Sequence, residues 1–157
     1  MATTSAGILL YRLEPSVQVL IAHMGGPFWA AKDAGAWSIP KGEYDADAEA
    51  ALDAAKREFR EELGIDPPDG PFAELGTFAY SSGKRVTVFV ADGAGIDLDG
   101  VAFGEFELEW PPRSGRTARF PEVDRVEWME PDAARGRLVT GQRPALDALV
   151  GRLAAAR

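Results

Sequence analysis

Near the N-terminus, apolar and polar positions form short runs of the kind that build strands. SAGILLYRL, residues 5–13, and VQVLIAHM, residues 17–24, read as two strands with EPS as the turn between them. GGPFWAAKDAGAW, residues 25–37, breaks the pattern and reads as a glycine-rich loop. WSIPKGEY, residues 37–44, is short and extended, because Pro40 disfavours helix at Ile39. From about Asp47 to Leu63 the period lengthens to that of a helix, with Leu52, Ala55, Phe59 and Leu63 on one stripe. Gly64 ends it, and Pro67 and Pro68 block a restart. FAELGTFAY (72–80) and RVTVFVAD (85–92) return to the strand pattern, FGEFELEW (103–110) reads as a further strand, and VEWM (126–129) as a last short one. PDAARGRL (131–138) opens a helix on Pro131, and RPALDALVGRLAAA (143–156) is an amphipathic C-terminal helix. Strands on both sides of one early helix, with helices at the end, predict an α/β sandwich. Its mixed central sheet is covered by helices on both faces, in a single domain over residues 1–157.

The helix carries an anomaly. Glu58, Glu61 and Glu62 lie within an arc of roughly 100° beside the apolar stripe. The remaining sector holds Glu49, Asp53, Lys56, Arg57 and Arg60, an ordinary solvated face of mixed sign. Each like-charge pair at i,i+4 costs a few tenths of a kcal/mol, and glutamates near a helix C-terminus oppose the dipole by about 0.3–1 kcal/mol each. Two explanations fit: a tolerated surface cluster partly neutralised by Arg57, or carboxylates that hold a hard divalent cation. Mg²⁺ takes carboxylate oxygens and leaves coordination positions for substrate phosphates.

Charge and composition narrow the partners. The net charge of −8 argues against a broad nucleic-acid surface or an anionic membrane as partner. An acidic chain that handles phosphates needs metal ions or a local basic patch. The chain has no cysteine, which removes disulfide and thiol chemistry. No apolar run reaches ~18 residues, and MATTSAGILLYRL lacks the features of a signal peptide, so the expected setting is cytoplasmic.

The stretch G-E-Y-D-A-D-A-E-A-A-L-D-A-A-K-R-E-F-R-E-E-L-G-I, residues 42–65, resembles the signature of the Nudix hydrolases. That signature is a glycine, five spacers, Glu, seven spacers, then Arg-Glu-apolar-x-Glu-Glu-x-Gly-apolar. Arg57, Glu58, Phe59, Glu61, Glu62, Gly64 and Ile65 occupy every fixed position of its second half, and Glu49 stands the required distance before Arg57. Between Gly42 and Glu49 there are six residues in place of five, in the loop before the helix, where one extra residue is cheap.

The resemblance implies a Nudix fold and Mg²⁺- or Mn²⁺-dependent attack of water on a diphosphate joined to another group. It implies Glu58 and Glu62 as principal metal ligands, Glu61 as a direct or water-mediated ligand, and Arg57 as the residue that orients a signature glutamate. The Lys41 carbonyl, just before the signature glycine, is implied to complete the metal shell. Glu122, six positions before Trp128, resembles the family's loop glutamate that serves as catalytic base or further ligand. W-S-I-P-K-G-E, residues 37–43, resembles the W-x-x-P-K-G version found in Nudix enzymes acting on dinucleoside polyphosphates and diphosphoinositol phosphates, and also a bacterial Nudix subgroup that has the same S-I-P-K-G-E-Y and a similar W-P-P-R-S-G. Lys41 is then a candidate phosphate contact or a lysine pointing to solvent, and Tyr80, near the position of a base-stacking tyrosine, is either that or a strand-end residue packed on the core. PPRSGRTARF, residues 111–120, offers Arg113, Arg116 and Arg119 as phosphate-binding guanidiniums, against the alternative of a solvated loop. Phe28 and Trp29 stack a nucleobase or anchor their loop; His23, the only histidine, forms no recognisable triad or metal set.

The expected activity is metal-dependent hydrolysis of a phosphoanhydride bond in a nucleoside diphosphate-linked or dinucleoside polyphosphate substrate. The alternatives are a housecleaning nucleoside triphosphate pyrophosphohydrolase and a non-catalytic nucleotide-binding Nudix domain. The partner is a small molecule, with a homodimer left open.

Overall fold

The computed structural model describes residues 4–156. Its framework is a mixed sheet of seven strands: β1 (Thr4–Arg12), β2 (Gln18–Met24), β3 (Trp37–Ser38), β4 (Lys41–Glu43), β5 (Ala73–Ala79), β6 (Arg85–Asp92) and, later in the chain, β9 (Val123–Met129). The main order is β3-β2-β1-β6-β5, with β4 paired to β1 and β9 to β2. Only β1 and β6 run parallel among these pairs. β1 pairs with β2 only at Tyr11 and Arg12, and with β4 at Ser5–Gly7. The sheet therefore splits along β1, and the β3–β4 segment enters the split.

Strand alternation sorts the core into two layers. On one face Leu9, Val19, Ile21, Val86, Val88 and Val90 meet α2 (Pro131–Arg137) and α3 (Arg143–Ala155) through Ala134, Leu138, Leu146 and Leu149. On the other, Ile8, Leu10, Leu20 and Phe89 meet α1 (Ala51–Leu63) through Ala54, Ala55, Phe59 and Leu63. Both layers are the expected helix-covered faces. Phe59 is fully buried, so Phe59→Ala is worth about 3–5 kcal/mol of stability.

The structure departs from the expectation in three places. Helix α1 begins at Ala51 and not at Asp47. Asp45 draws the preceding residues into a turn: its carboxylate accepts from the Asp47 N–H and its carbonyl from those of Ala48 and Glu49. That side-chain competition absorbs the extra signature residue before the helix starts. At the other end Gly64, with φ of 70°, donates its N–H to the Arg60 carbonyl and closes the helix as expected. FGEFELEW does form a strand, β7 (Glu105–Glu109), but outside the main sheet. It pairs with β8 (Thr117–Pro121) in a separate two-stranded ribbon. Glu122 is consequently not in a loop: it is the single residue between β8 and β9.

Candidate active site

Helix α1 presents its glutamates at graded depth. Glu62 stands three residues after Phe59, at the edge of the buried stripe, and is only 9% exposed. The Glu58 side chain is 16% exposed and that of Glu61 57%. Opposite them runs β4, where Gly42 lets the helix approach: a Cβ there would lie 2.0 Å from the Glu58 Oε2. The close approach, and not an unusual backbone angle, is what requires glycine at 42. β9 supplies the third wall. The result is a cleft of about 310 Å³ whose lining includes Ser38, Lys41, Glu43, Glu58, Glu62 and Glu122.

Electrostatics mark the same place. Burial, opposed by Lys41 and reinforced by Glu122 and Glu58, pushes the Glu62 carboxyl up to about 8. Burial, with Glu58 and Glu61 nearby, also raises Glu122 above the usual carboxylate range. Three carboxylates thus face one cleft, the innermost of them buried, with Lys41 as the opposing cation.

Arg57, placed by its spacing on the mixed-sign face and by the resemblance beside a signature glutamate, contacts three glutamates at once. Glu49 lies off the helix and receives the Arg57 Nε and Nη2 in a bidentate pair, both bonds 2.9 Å. The remaining nitrogen, Nη1, donates to Glu58 at 2.8 Å and to both oxygens of Glu61 at 3.3 Å. The Arg57 hydrogen bond holds Glu49 below the usual carboxylate range. Glu49 anchors the fork, and the fork fixes Glu58 and Glu61.

Gly42, Glu58, Glu62 and Glu122 converge from strand, helix and the β8–β9 connection on one cleft, with Glu49, Arg57 and Glu61 linked to Glu58 beside it. The family model for the NUDIX domain matches residues 1–149. The chain belongs to the Nudix hydrolases. Pyrophosphohydrolases make up this family, and its members typically use a divalent metal. A protein of Enterobacteria phage T4, described as an uncharacterized 17.7 kDa protein in the e-segB intergenic region, is 36% identical over 90 residues. That stretch covers 57% of this chain and 58% of the phage protein. Among solved structures, a binary complex of the C. elegans Ap4A hydrolase superposes with a TM-score of 0.68 at 22% identity, covering 96% of this chain and 98% of the other. The Nudix domain of Shewanella oneidensis NrtR, in complex with ADP ribose, gives 0.65 at 15% identity, covering 98% and 89%. At these identities the two structures speak for the Nudix fold alone.

The donor set of this Nudix cleft suits a hard divalent ion: carboxylate oxygens at graded depth, with the Lys41 backbone alongside. Among the described residues no three acidic side chains already close into a finished metal cage. Glu58 and Glu61 are instead engaged by Arg57. The set is a wall of carboxylates, and the burial of Glu62 disfavours uncompensated negative charge there.

Other candidates lie elsewhere. Tyr80 is not in the cleft. It packs with the α2–α3 layer against Gly141, and its hydroxyl accepts a hydrogen bond from Gln142 at 2.8 Å. The three arginines do not form one cluster, because strand alternation and the hairpin turn separate them. Arg119 faces outward on β8 and pairs with Glu105 at 3.4 Å and Glu107 at 3.6 Å. Arg113 and Arg116 sit at the hairpin tip.

Two contributors escaped the sequence reading. Ser38 lines the cleft and accepts a hydrogen bond from Gln142, which also accepts the Ile39 N–H at 2.7 Å. Gln142 is fully buried and so ties the C-terminal helices to the segment entering β4. A single Gln between helices has no local signature. His23 is buried too: its Nε2–H donates to the Lys32 carbonyl, and its Nδ1 lies 2.6 Å from the Asp124 carboxylate. It braces the glycine-rich loop against β9, a structural task in keeping with its lack of triad partners.

Proposed function

We propose that the chain hydrolyses a phosphoanhydride bond in a nucleoside diphosphate-linked or dinucleoside polyphosphate substrate, with Mg²⁺ or Mn²⁺ as its metal. The observation that carries this is the shared cleft of Glu58, Glu62, Glu122 and Lys41, whose lining includes three carboxylates, the most buried of which, Glu62, is pushed up to about 8. Glu58, Glu62 and the Lys41 carbonyl would hold the ion, with Glu61 contributing directly or through water. When bound, the metal supplies charge neutralisation on phosphoryl oxygens and lowers the pKa of a bound water.

The chain's own residues account for the rest. Arg57, itself fixed by Glu49, keeps Glu58 and Glu61 in place. Glu122 faces Glu58 and Glu61 electrostatically yet stands on a different element, so it is the free carboxylate best placed to take a proton from the attacking water. Its raised affinity for protons suits a base that must accept one. The Lys41 ammonium, beside Glu62, is available to a substrate phosphate.

The test is a panel of ADP-ribose, dinucleoside polyphosphates, nucleoside triphosphates and diphosphoinositol phosphates with Mg²⁺, products identified by mass spectrometry. Cleavage of ADP-ribose or a dinucleoside polyphosphate, abolished in Glu62→Gln, is expected. Pyrophosphate release confined to nucleoside triphosphates would replace this reading with the housecleaning one. Nucleotide binding without turnover of any compound would make the domain a binder.

A further inference from the structure

The β7–β8 ribbon has two unlike faces. Glu105, Glu107, Glu109, Thr117 and Arg119 point to solvent, whereas Phe106, Leu108, Trp110, Ala118 and Phe120 point the other way and are half-buried. An isolated two-stranded ribbon is at best marginally stable, so its apolar face needs cover. Part of the cover comes from the glycine-rich loop. Gly26 lies against Phe106, and Phe28 meets Trp110 edge to face, with ring centroids 5.6 Å apart and planes at 90°. Trp110 in turn stands 6.3 Å from Phe120, and Phe120 6.1 Å from Phe106. These aromatics form a continuous row that belongs to neither core layer.

The row is not fully covered. Phe28 is 56% exposed, the most exposed of the large hydrophobic side chains among the described residues. An edge-to-face contact with Trp110 uses only part of its ring surface.

Two further features identify what fits there. First, the row starts at the catalytic cleft. Phe120 is two residues from Glu122, and the Gly25 N–H donates to the Glu122 carbonyl at 3.0 Å, so loop and ribbon are pinned together at the proposed base. Phe28 comes only three residues after Gly25, so the chain cannot carry it more than roughly 11 Å from that pinned point. That is the reach of a nucleotide whose phosphates sit in the cleft. Second, the ribbon tip beside Trp110 carries Arg113 and Arg116, which make no ion pair among the described residues. An exposed aromatic face, adjacent guanidiniums and a phosphate-handling cleft at the other end match an aromatic base joined to phosphates. They match a protein surface less well, because the apolar area is narrow and flanked by charge.

We infer that Phe28, backed by Trp110, is the stacking platform for the base of a nucleotide substrate. The inference rests on the reading of the cleft as a phosphoanhydride site. It places base recognition on the ribbon and glycine-rich loop, and leaves Tyr80 as a structural tyrosine.

Its test does not need turnover. Titrate AMP and ribose 5-phosphate, which differ only in the base, onto the full chain in the presence of Mg²⁺ by calorimetry. Base–aromatic stacking predicts that AMP binds roughly 5- to 150-fold more tightly than ribose 5-phosphate. Phe28→Ala and Trp110→Ala should abolish that preference while leaving ribose 5-phosphate affinity unchanged. Phe28→Tyr and Trp110→Phe should retain it, which separates stacking from a folding defect. Preference retained in Phe28→Ala, or equal affinities in the wild type, overturns the platform. A dimer that dissociates in Phe28→Ala with AMP preference intact would overturn it in favour of an interface between copies. If no diphosphate is cleaved but AMP preference still depends on Phe28, the hydrolase reading fails and the platform stands.

Discussion

Replacing Glu62 by glutamine isolates the electrostatic tension in the cleft. Burial raises the Glu62 carboxyl from an ordinary 4.5 to about 8 in the metal-free fold. Between those values the native state binds more protons at this site than the unfolded chain, so the stability it contributes is complete below pH 4.5 and is lost as pH rises toward 8. At about 1.4 kcal/mol per pH unit across the window, the full loss is on the order of 4–5 kcal/mol. Glutamine keeps the shape and cannot ionise, so Glu62→Gln should lack this slope. For a chain of this length each kcal/mol moves Tm by about 2–4 °C. Metal-free wild type should therefore melt about 10–20 °C below Glu62→Gln at pH 8–9, and within a few degrees of it at pH 4–5. Adding Mg²⁺ at pH 8 should raise the wild-type Tm by mass action, since the ion favours the ionised carboxylate, and leave the variant nearly unmoved. The assay is thermal melting by circular dichroism across pH, with EDTA or with Mg²⁺, reading the difference between the two proteins. Parallel pH profiles, or an equal Mg²⁺ shift in both, would refute the argument and remove Glu62 from the site.

Arg57→Ala should weaken Mg²⁺ affinity by about 10- to 100-fold and reduce stability by about 1–2 kcal/mol, because its fork to Glu49 orients Glu58 and Glu61; metal titration and chemical denaturation read the two effects. Unchanged metal affinity would make the fork a surface ion pair. Glu122→Gln should lower kcat by about 10²–10⁴ with substrate binding preserved, and should erase the acidic limb of the pH–rate profile, while Asp124→Asn acts more mildly. Turnover within a few-fold of wild type would exclude Glu122 as base. Gly42→Ala should push the Glu58 carboxylate out of place and cost most of the turnover, since the new Cβ meets Oε2; a fully active variant would show that Glu58 is not held there in catalysis.

Local pattern was enough for much of this protein. The periods of the strands and of α1 are properties of a few consecutive residues, and so is the spacing that sets Glu58, Glu61 and Glu62 beside the apolar stripe. Glu62's place at the buried edge follows from its three-residue offset from Phe59. The start of α1 was misjudged because a helical period does not register a side chain that bonds its own backbone, as Asp45 does. What tertiary structure alone decided involves partners far apart in the chain. Glu122 reaches the cleft because β9 pairs with β2, and Gln142 meets Tyr80 across 62 positions. Tyr80 faces the α2–α3 layer, and Arg119 points away from the ribbon's aromatic row, because a strand sends alternate side chains to opposite faces. Phe28 and Trp110 meet because a loop and a ribbon are pinned at Glu122, a contact that neither segment encodes by itself. Local periodicity fixes which side of an element a residue occupies; only the register between distant strands fixes what stands opposite it.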